Sequence, residues 1–291
     1  MPEPEDERLR DEGRLRAATG PAGIRGNPQF GWTCPASTPR TGLVRAMGNG
    51  PVQEEVVVRY LARAFVRPPH VDGTAQWFAD FARAVGDPTL VPRAVVELAG
   101  GGAVQRVALG SLSGNWLVQT TAESVDVQSS PQVGQQSIEF ADFCAKAAIQ
   151  LRAAVEFLGS NAWRIAVVRE WIFRELTNDE LTACRTRLIN LPDLSVGAVP
   201  FEWDWRMAKN VERTVGQTTL NTNTIATVKQ LTVTFPGTEE RTRLWLSTDV
   251  NTTPKETRSR FEGSDVAGFL QQSAPWHSEI EQSLLRFMAL T

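Results

Sequence analysis

Two histidines, His70 and His277, are the first residues to weigh for acid–base chemistry, because an imidazole exchanges protons near neutral pH. His277 lies four residues before Glu281, a spacing that sets both side chains on one helix face. Such a pair can act as a base oriented by a carboxylate. The plainer reading is an exposed pair opposite the apolar stripe, and we prefer it. No Gly-x-Ser-x-Gly elbow or His-Glu-x-x-His helix stands nearby to supply a nucleophile or a metal. His70 follows Pro68-Pro69 and reads as loop. Glu202 and Asp204 share a strand face opposite Trp203 and Trp205. They could hold a metal, but alternating acids on a solvated strand face are much commoner. Asp249 reads as the end of a strand, without nameable partner ligands. Cys34, Cys144 and Cys184 are far apart and form no Cys-x-x-Cys pair, which argues against zinc. Gly100-Gly101-Gly102 invites a phosphate loop, but such a loop needs a helix after it, and Val104–Leu109 reads as a strand. These tests assign no catalytic residue, metal or cofactor.

A different chemistry is suggested by Arg164, Arg169, Arg174, Arg185 and Arg187, interleaved with Trp163 and Trp171. Guanidinium groups pair with phosphates and indoles stack on bases, so this stretch is the best local case for an anionic or nucleic-acid partner. The candidate binding residues are Trp163, Arg164, Arg169, Trp171, Arg174 and Arg185. Arg169 falls among apolar residues by strand alternation, and a buried arginine needs a carboxylate or several carbonyls. A structural ion pair is therefore the blander reading for it.

The elements that must position these groups follow from periodicity. Val56 to Phe65 is rich in β-formers and reads as a strand. Thr74 caps a helix that buries Trp77, Phe78, Phe81 and Val85. Val95–Leu98 and Val104–Leu109 form a hairpin, and a single strand runs from Trp116 to Val127. Ser137 opens a helix in which Phe140, Cys144, Ala147, Leu151, Val155 and Leu158 recur every three or four residues. Trp163 to Phe173 is extended, and Thr177-x-x-Glu180 is a capping box for a short helix. Phe201, Trp203 and Trp205 alternate with polar residues as a strand. Residues 218–235 and 241–250 give two more strands joined at Pro236-Gly237. Pro275 then opens a last helix. This order predicts an α+β fold, a mixed or largely antiparallel sheet covered by helices. No internal repeat is visible. The body is one unit or two lobes, 47–160 and 161–291.

Composition bounds the rest. The chain has 291 residues, 42% of them hydrophobic and 22% charged, enough for a large core and too balanced for wholesale disorder. Nine tryptophans against one tyrosine place much apolar surface in a core or an interface. A net charge of −3 argues against general phosphate-backbone binding. Residues 1–46 carry dense charge, then frequent Gly and Pro, and read as an irregular extension; Met47 is the expected alternative start. The acidic N-terminus is no secretion signal, and no apolar run reaches membrane-spanning length. An odd number of scattered cysteines fits a reducing cytoplasm.

Over residues 49–291 the chain resembles a sporadically distributed family of uncharacterised bacterial proteins. The likeness lies in Pro51-Val52 before the first strand, Gly114-Asn115-Trp116 and its extension through Val125, and the aromatic helix near Phe140. Arg164-Ile165-Ala166-Val167-Val168-Arg169, the strand Leu244 to Val250, and the Trp276-His277 helix ending at Phe287 complete it. The resemblance implies a domain start and an element order, and no activity. The leading functional expectation is a non-catalytic binding or assembly protein of a bacterial cytoplasm, acting through a protein partner or by self-association. Nucleic-acid binding through residues 163–187 is the second reading. An unrecognised enzyme, with His277 and Glu281 meeting in a pocket, is the third.

Overall fold

The computed structural model describes residues 55–67, 74–99, 102–131, 136–189, 202–234, 239–255 and 258–290. Expectations for residues 1–54, the turn at Gly100-Gly101, His70 and Pro236-Gly237 lie outside them.

The first half of the described chain is β1 (Val56–Phe65), α1 (Ala75–Val85), β2 (Leu90–Ala99), β3 (Gly102–Ser111), β4 (Trp116–Thr120), β5 (Ser124–Ser129) and α2 (Phe140–Phe157). The second half is β6 (Arg164–Ile172), α3 (Asn178–Leu188), β7 (Trp203–Val215), β8 (Thr218–Val233), β9 (Arg241–Thr252) and α4 (Gly263–Met288). All described strands join one sheet in the order β2-β3-β4-β5-β1-β6-β9-β8-β7. Every neighbouring pair is antiparallel. The class is α+β.

The element order of the two halves is alike except that the first has one more strand. In each half a central strand leads through a helix to the far edge of the sheet. The chain then meanders back to the centre and ends in a long helix. The halves meet where β1 pairs with β6, Ala62 opposite Val167, and where α2 packs along α4.

Strand alternation decides what faces the helices. Tyr60 of β1 meets the rings of Phe140 and Phe143 on α2, at 5.0 and 5.3 Å between centroids. Along the same pleat Val127, Val118, Leu109, Val167, Val250 and Val228 are all buried. These β-branched and aromatic residues and the stripes of α2 and α4 form one core. Arg59, Arg63, Arg164 and Glu170 of β1 and β6 alternate onto the other face.

Three boundaries differ from the sequence reading. The strand expected from Trp116 to Val127 is a hairpin. The Thr121 N–H donates to the Ser124 carbonyl at 2.8 Å, and the Thr121 hydroxyl accepts from the Ser124 N–H at 3.1 Å; a hydroxyl that bonds its own turn competes with extended backbone. β2 begins at Leu90 and runs through Pro92, which an edge strand tolerates. The last helix starts at Gly263 rather than Pro275, which lies inside it. Its first turn is fixed by the Asp265 carboxylate, which accepts from the Glu262 N–H at 3.0 Å. A stripe from Val266 through Phe269, Leu270 and Trp276 to Leu284 holds it against the sheet, so packing outweighs the proline penalty. Gly263 lets α4 approach α2, because a Cβ there would come within 3.0 Å of the Arg152 carbonyl oxygen.

Other elements form where capping and periodicity place them. The Thr74 hydroxyl accepts from the Trp77 N–H at 3.3 Å. Thr177 and Glu180 form the reciprocal capping box of α3, with bonds of 2.8 and 3.2 Å. The aromatic helix begins at Phe140, three residues after Ser137.

Candidate functional site

The residues of the Arg/Trp stretch do not form one surface. β6 has a two-residue period, so it sends Arg169 and Trp171 under the helices and Arg164 to the opposite face. Trp163, just before β6, packs on Phe65 at 5.2 Å. Arg164 lies 4.9 Å over the same Phe65 ring and donates to the Asn251 side-chain carbonyl at 3.0 Å. Arg169 is ion-paired to Glu281 and covers Trp171, whose indole is fully buried. Arg174 pairs with Glu180 at 2.8 Å, which holds that carboxyl down to about 2. Arg185 sits half-buried on α3.

His277 overturns its expected place. It belongs to the apolar stripe of α4 and is fully buried, not exposed opposite it. With the true start of α4 at Gly263, His277 shares the inward face with Phe269, Leu270, Ser273 and Ile280. Its Nδ1 and the Thr248 hydroxyl are 2.6 Å apart, its ring meets Phe140 edge-on at 4.9 Å, and its Nε2 has no hydrogen-bond partner of good geometry. Burial, reinforced by the cations Arg169 and Arg213, pushes the imidazole down to about 3. Such a group stays neutral at physiological pH and is a poor proton acceptor. Glu281, the expected orienting partner, is bound to Arg169 instead. The same burial pushes the nearby Tyr60 hydroxyl above its ordinary range. This cluster therefore fixes α4 onto β6 and β9 through polar contacts within an apolar interface.

On the opposite face of the sheet a second polar network runs across the central strands. Arg63 is paired with the buried Asp126, which also accepts from the Ser124 hydroxyl at 2.8 Å. Arg59 pairs with Glu170 at 2.6 Å. The Asn251 amide donates to Asp249 at 2.9 Å, and its carbonyl accepts from Asn223 at 3.1 Å as well as from Arg164. Asp249 is not the end of its strand; it lies within β9, where burial pushes its carboxyl up against the opposing pull of Asn251 and Arg164. Asp204, weighed as a metal ligand, is ion-paired to Lys229 on the neighbouring strand at 3.1 Å. Among the described residues no three His, Cys, Asp or Glu side chains come together as a metal-holding group.

A cleft lies at the β2 end of the sheet. It has a volume of about 810 Å³ and is lined by Val91, Leu112, Trp116, Pro131, Ile138 and Lys146. Its floor is braced from below: the Trp116 indole donates to Gln150 at 2.9 Å, Gln150 donates to Asp87 at 3.1 Å, and Lys146 pairs with Asp87 at 2.9 Å. Lys146 also lies 4.4 Å over the Trp116 ring. From this cleft runs β2, which among the described strands lies at an edge of the sheet and pairs with β3 alone. Val91 is 42% exposed, Val95 39%, Val96 61% and the adjoining Leu112 84%. The other edge, β7, carries Arg206, Lys209 and Glu212 exposed along it, the charges that blunt an edge against pairing. Sequence reasoning placed a strand at Val95–Leu98 but not its position at an edge. Pro92 is the local hint, since a proline inside a strand favours an edge.

The chain matches no protein-family model and no characterised protein.

Proposed function

We propose that this chain is a non-catalytic binding protein that engages a protein partner through the β2 edge of its sheet. One observation carries the proposal: among the described strands the ten-residue β2 lies at an edge, paired with β3 on one side, and it presents Val91, Val95 and Val96 to solvent beside the exposed Leu112. Unpaired backbone groups offer a template for an added strand, and exposed β-branched side chains gain from burial under one. The cleft at the head of β2 can receive a partner side chain against Val91 and Leu112. The buried histidine and the paired carboxylates supply no poised acid or base, which favours binding over catalysis. The free, buried Cys144 and Cys184 suit a reducing cytoplasm, and among the described residues no helix is long and apolar enough to cross a membrane. Membership of the sporadic bacterial family is part of the same proposal.

Affinity capture from the native host tests this, comparing the wild type with a Val96→Lys variant of equal thermal stability. A lysine on the edge opposes strand addition. The expected result is a protein held by the wild type, identified by mass spectrometry, and lost by the variant. Identical capture by both refutes the edge as the site.

A further inference from the structure

The cleft at the head of β2 is larger than one partner side chain needs. Its volume of about 810 Å³ falls among small-molecule sites, which span roughly 300–1,000 Å³. Among the described residues that line it, Lys146 is the sole ionised one. An ammonium has three N–H donors. One of them goes to Asp87 at 2.9 Å, and the Trp116 ring, 4.4 Å away, attracts the charge through its π face. The other donors are unused on a side chain that is 40% exposed. Asp87 is not among the lining residues, and both its oxygens are engaged. One accepts from the Thr89 N–H at 3.0 Å, the other from Gln150 at 3.1 Å as well as from Lys146. The carboxylate thus tethers the ammonium at the cleft wall, and the long lysine stem needs little further ordering to meet a ligand. Asn115 supplies a second donor to the same cleft. The Trp116 N–H bonds the Ser111 oxygen at 3.1 Å, so the Ser111 proton is left for the Asn115 side-chain oxygen, 2.9 Å away. The Ser113 hydroxyl donates to that oxygen at 2.6 Å. With its oxygen turned to two hydroxyls, the amide keeps its Nδ2 protons, and no group among the described residues accepts them. The remaining wall is apolar and uncovered: Val91 is 42% exposed, Leu112 84%, and Ile138 is half-buried.

We propose that this cleft binds a small organic carboxylate with an apolar body. Lys146 and Asn115 take the carboxylate, and the body lies against Val91, Leu112 and Ile138. The head group follows from the donors. A hydrogen bond between ionised partners is about twice as strong as a neutral one, which favours a carboxylate over an alcohol or an amide. A single lining cation matches one negative charge, and a phosphate dianion there would keep a charge uncompensated beside apolar walls. The tail follows from the uncovered side chains, whose burial under an aliphatic or aromatic body is favourable. The inference goes beyond strand addition at β2 and does not depend on it. It requires the Lys146 ammonium and the Asn115 amide, not the backbone of the edge.

Titration calorimetry of the full-length protein at neutral pH, with octanoate, octanol and octylamine as probes, tests the proposal. Octanoate should bind at one site per chain. Octanol, with the same body and no charge, should bind about tenfold more weakly, and octylamine not at all. Lys146→Gln should weaken octanoate by about tenfold to a hundredfold, and Lys146→Arg should retain most of its affinity. Asn115→Asp is nearly isosteric and keeps an oxygen for Ser111 and Ser113, but it sets a negative charge where a donor stood. It should abolish octanoate binding and leave octanol binding unchanged, a split that misfolding would not give. Val96→Lys, on the strand edge, should bind octanoate as the wild type does. Absence of octanoate binding at millimolar concentration overturns the proposal, as does equal binding of octanoate and octanol. Octanoate binding that survives both Lys146→Gln and Asn115→Asp, or that is lost in Val96→Lys, removes the cleft as the site.

Discussion

Acidification should destabilise this protein chiefly through one imidazole. His277 is fully buried against Thr248 and Phe140, between Arg169 and Arg213, and its pKa falls from 6.5 to about 3 on folding. Between those values the unfolded chain binds a proton that the folded chain refuses. The contribution of neutral His277 is thus fully present above about pH 6.5 and drains away as the pH falls toward 3. Each pH unit in that window costs up to about 1.4 kcal/mol, so acidification to about pH 4.5 removes roughly 2.7 kcal/mol, a large part of a typical folding free energy. Carboxylates also titrate there, which makes a matched control necessary. His277→Gln keeps a polar group for the Thr248 hydroxyl and has no proton to gain. Urea denaturation of both proteins at about pH 7.5 and about pH 4.5 isolates the histidine. The wild type should lead at the higher pH, and its lead should shrink by about 2–3 kcal/mol at the lower. The chain has only two histidines, so imidazole NMR can follow His277 directly, and its signal should not move between about pH 8 and 5. A constant lead across the two pH values, or a His277 signal titrating near 6.5, refutes the reasoning.

Other consequences follow from packing and capping. Phe143→Ala should cost about 3–5 kcal/mol in urea denaturation, because this fully buried ring packs against Tyr60, Trp116 and Phe140. Thr177→Ala should cost about 1 kcal/mol, from the lost capping box of α3, with little change in m-value. Burial pushes the thiols of Cys144 and Cys184 up to about 12 and about 11. A thiol reagent at neutral pH should leave both unmodified until denaturant is added; rapid native labelling of either would contradict their burial.

Local chemistry was legible in the sequence wherever it is self-contained. The Thr74 cap and the Thr177–Glu180 box involve groups three residues apart, and the two-residue period of β6 already set Arg169 beside Trp171. From these the α+β class followed. The nine-strand order did not, because pairing depends on which apolar faces meet across long separations, and many pairings suit the same periods. Tertiary packing alone carried α4 through Pro275 and turned His277 inward. It also gave Arg169 its carboxylate from a residue more than a hundred positions away. The candidate site depends on the same decision. Val91, Val95 and Val96 look like core residues in the sequence. They become a surface because the sheet of described strands ends at β2, for which Pro92 is the one local hint.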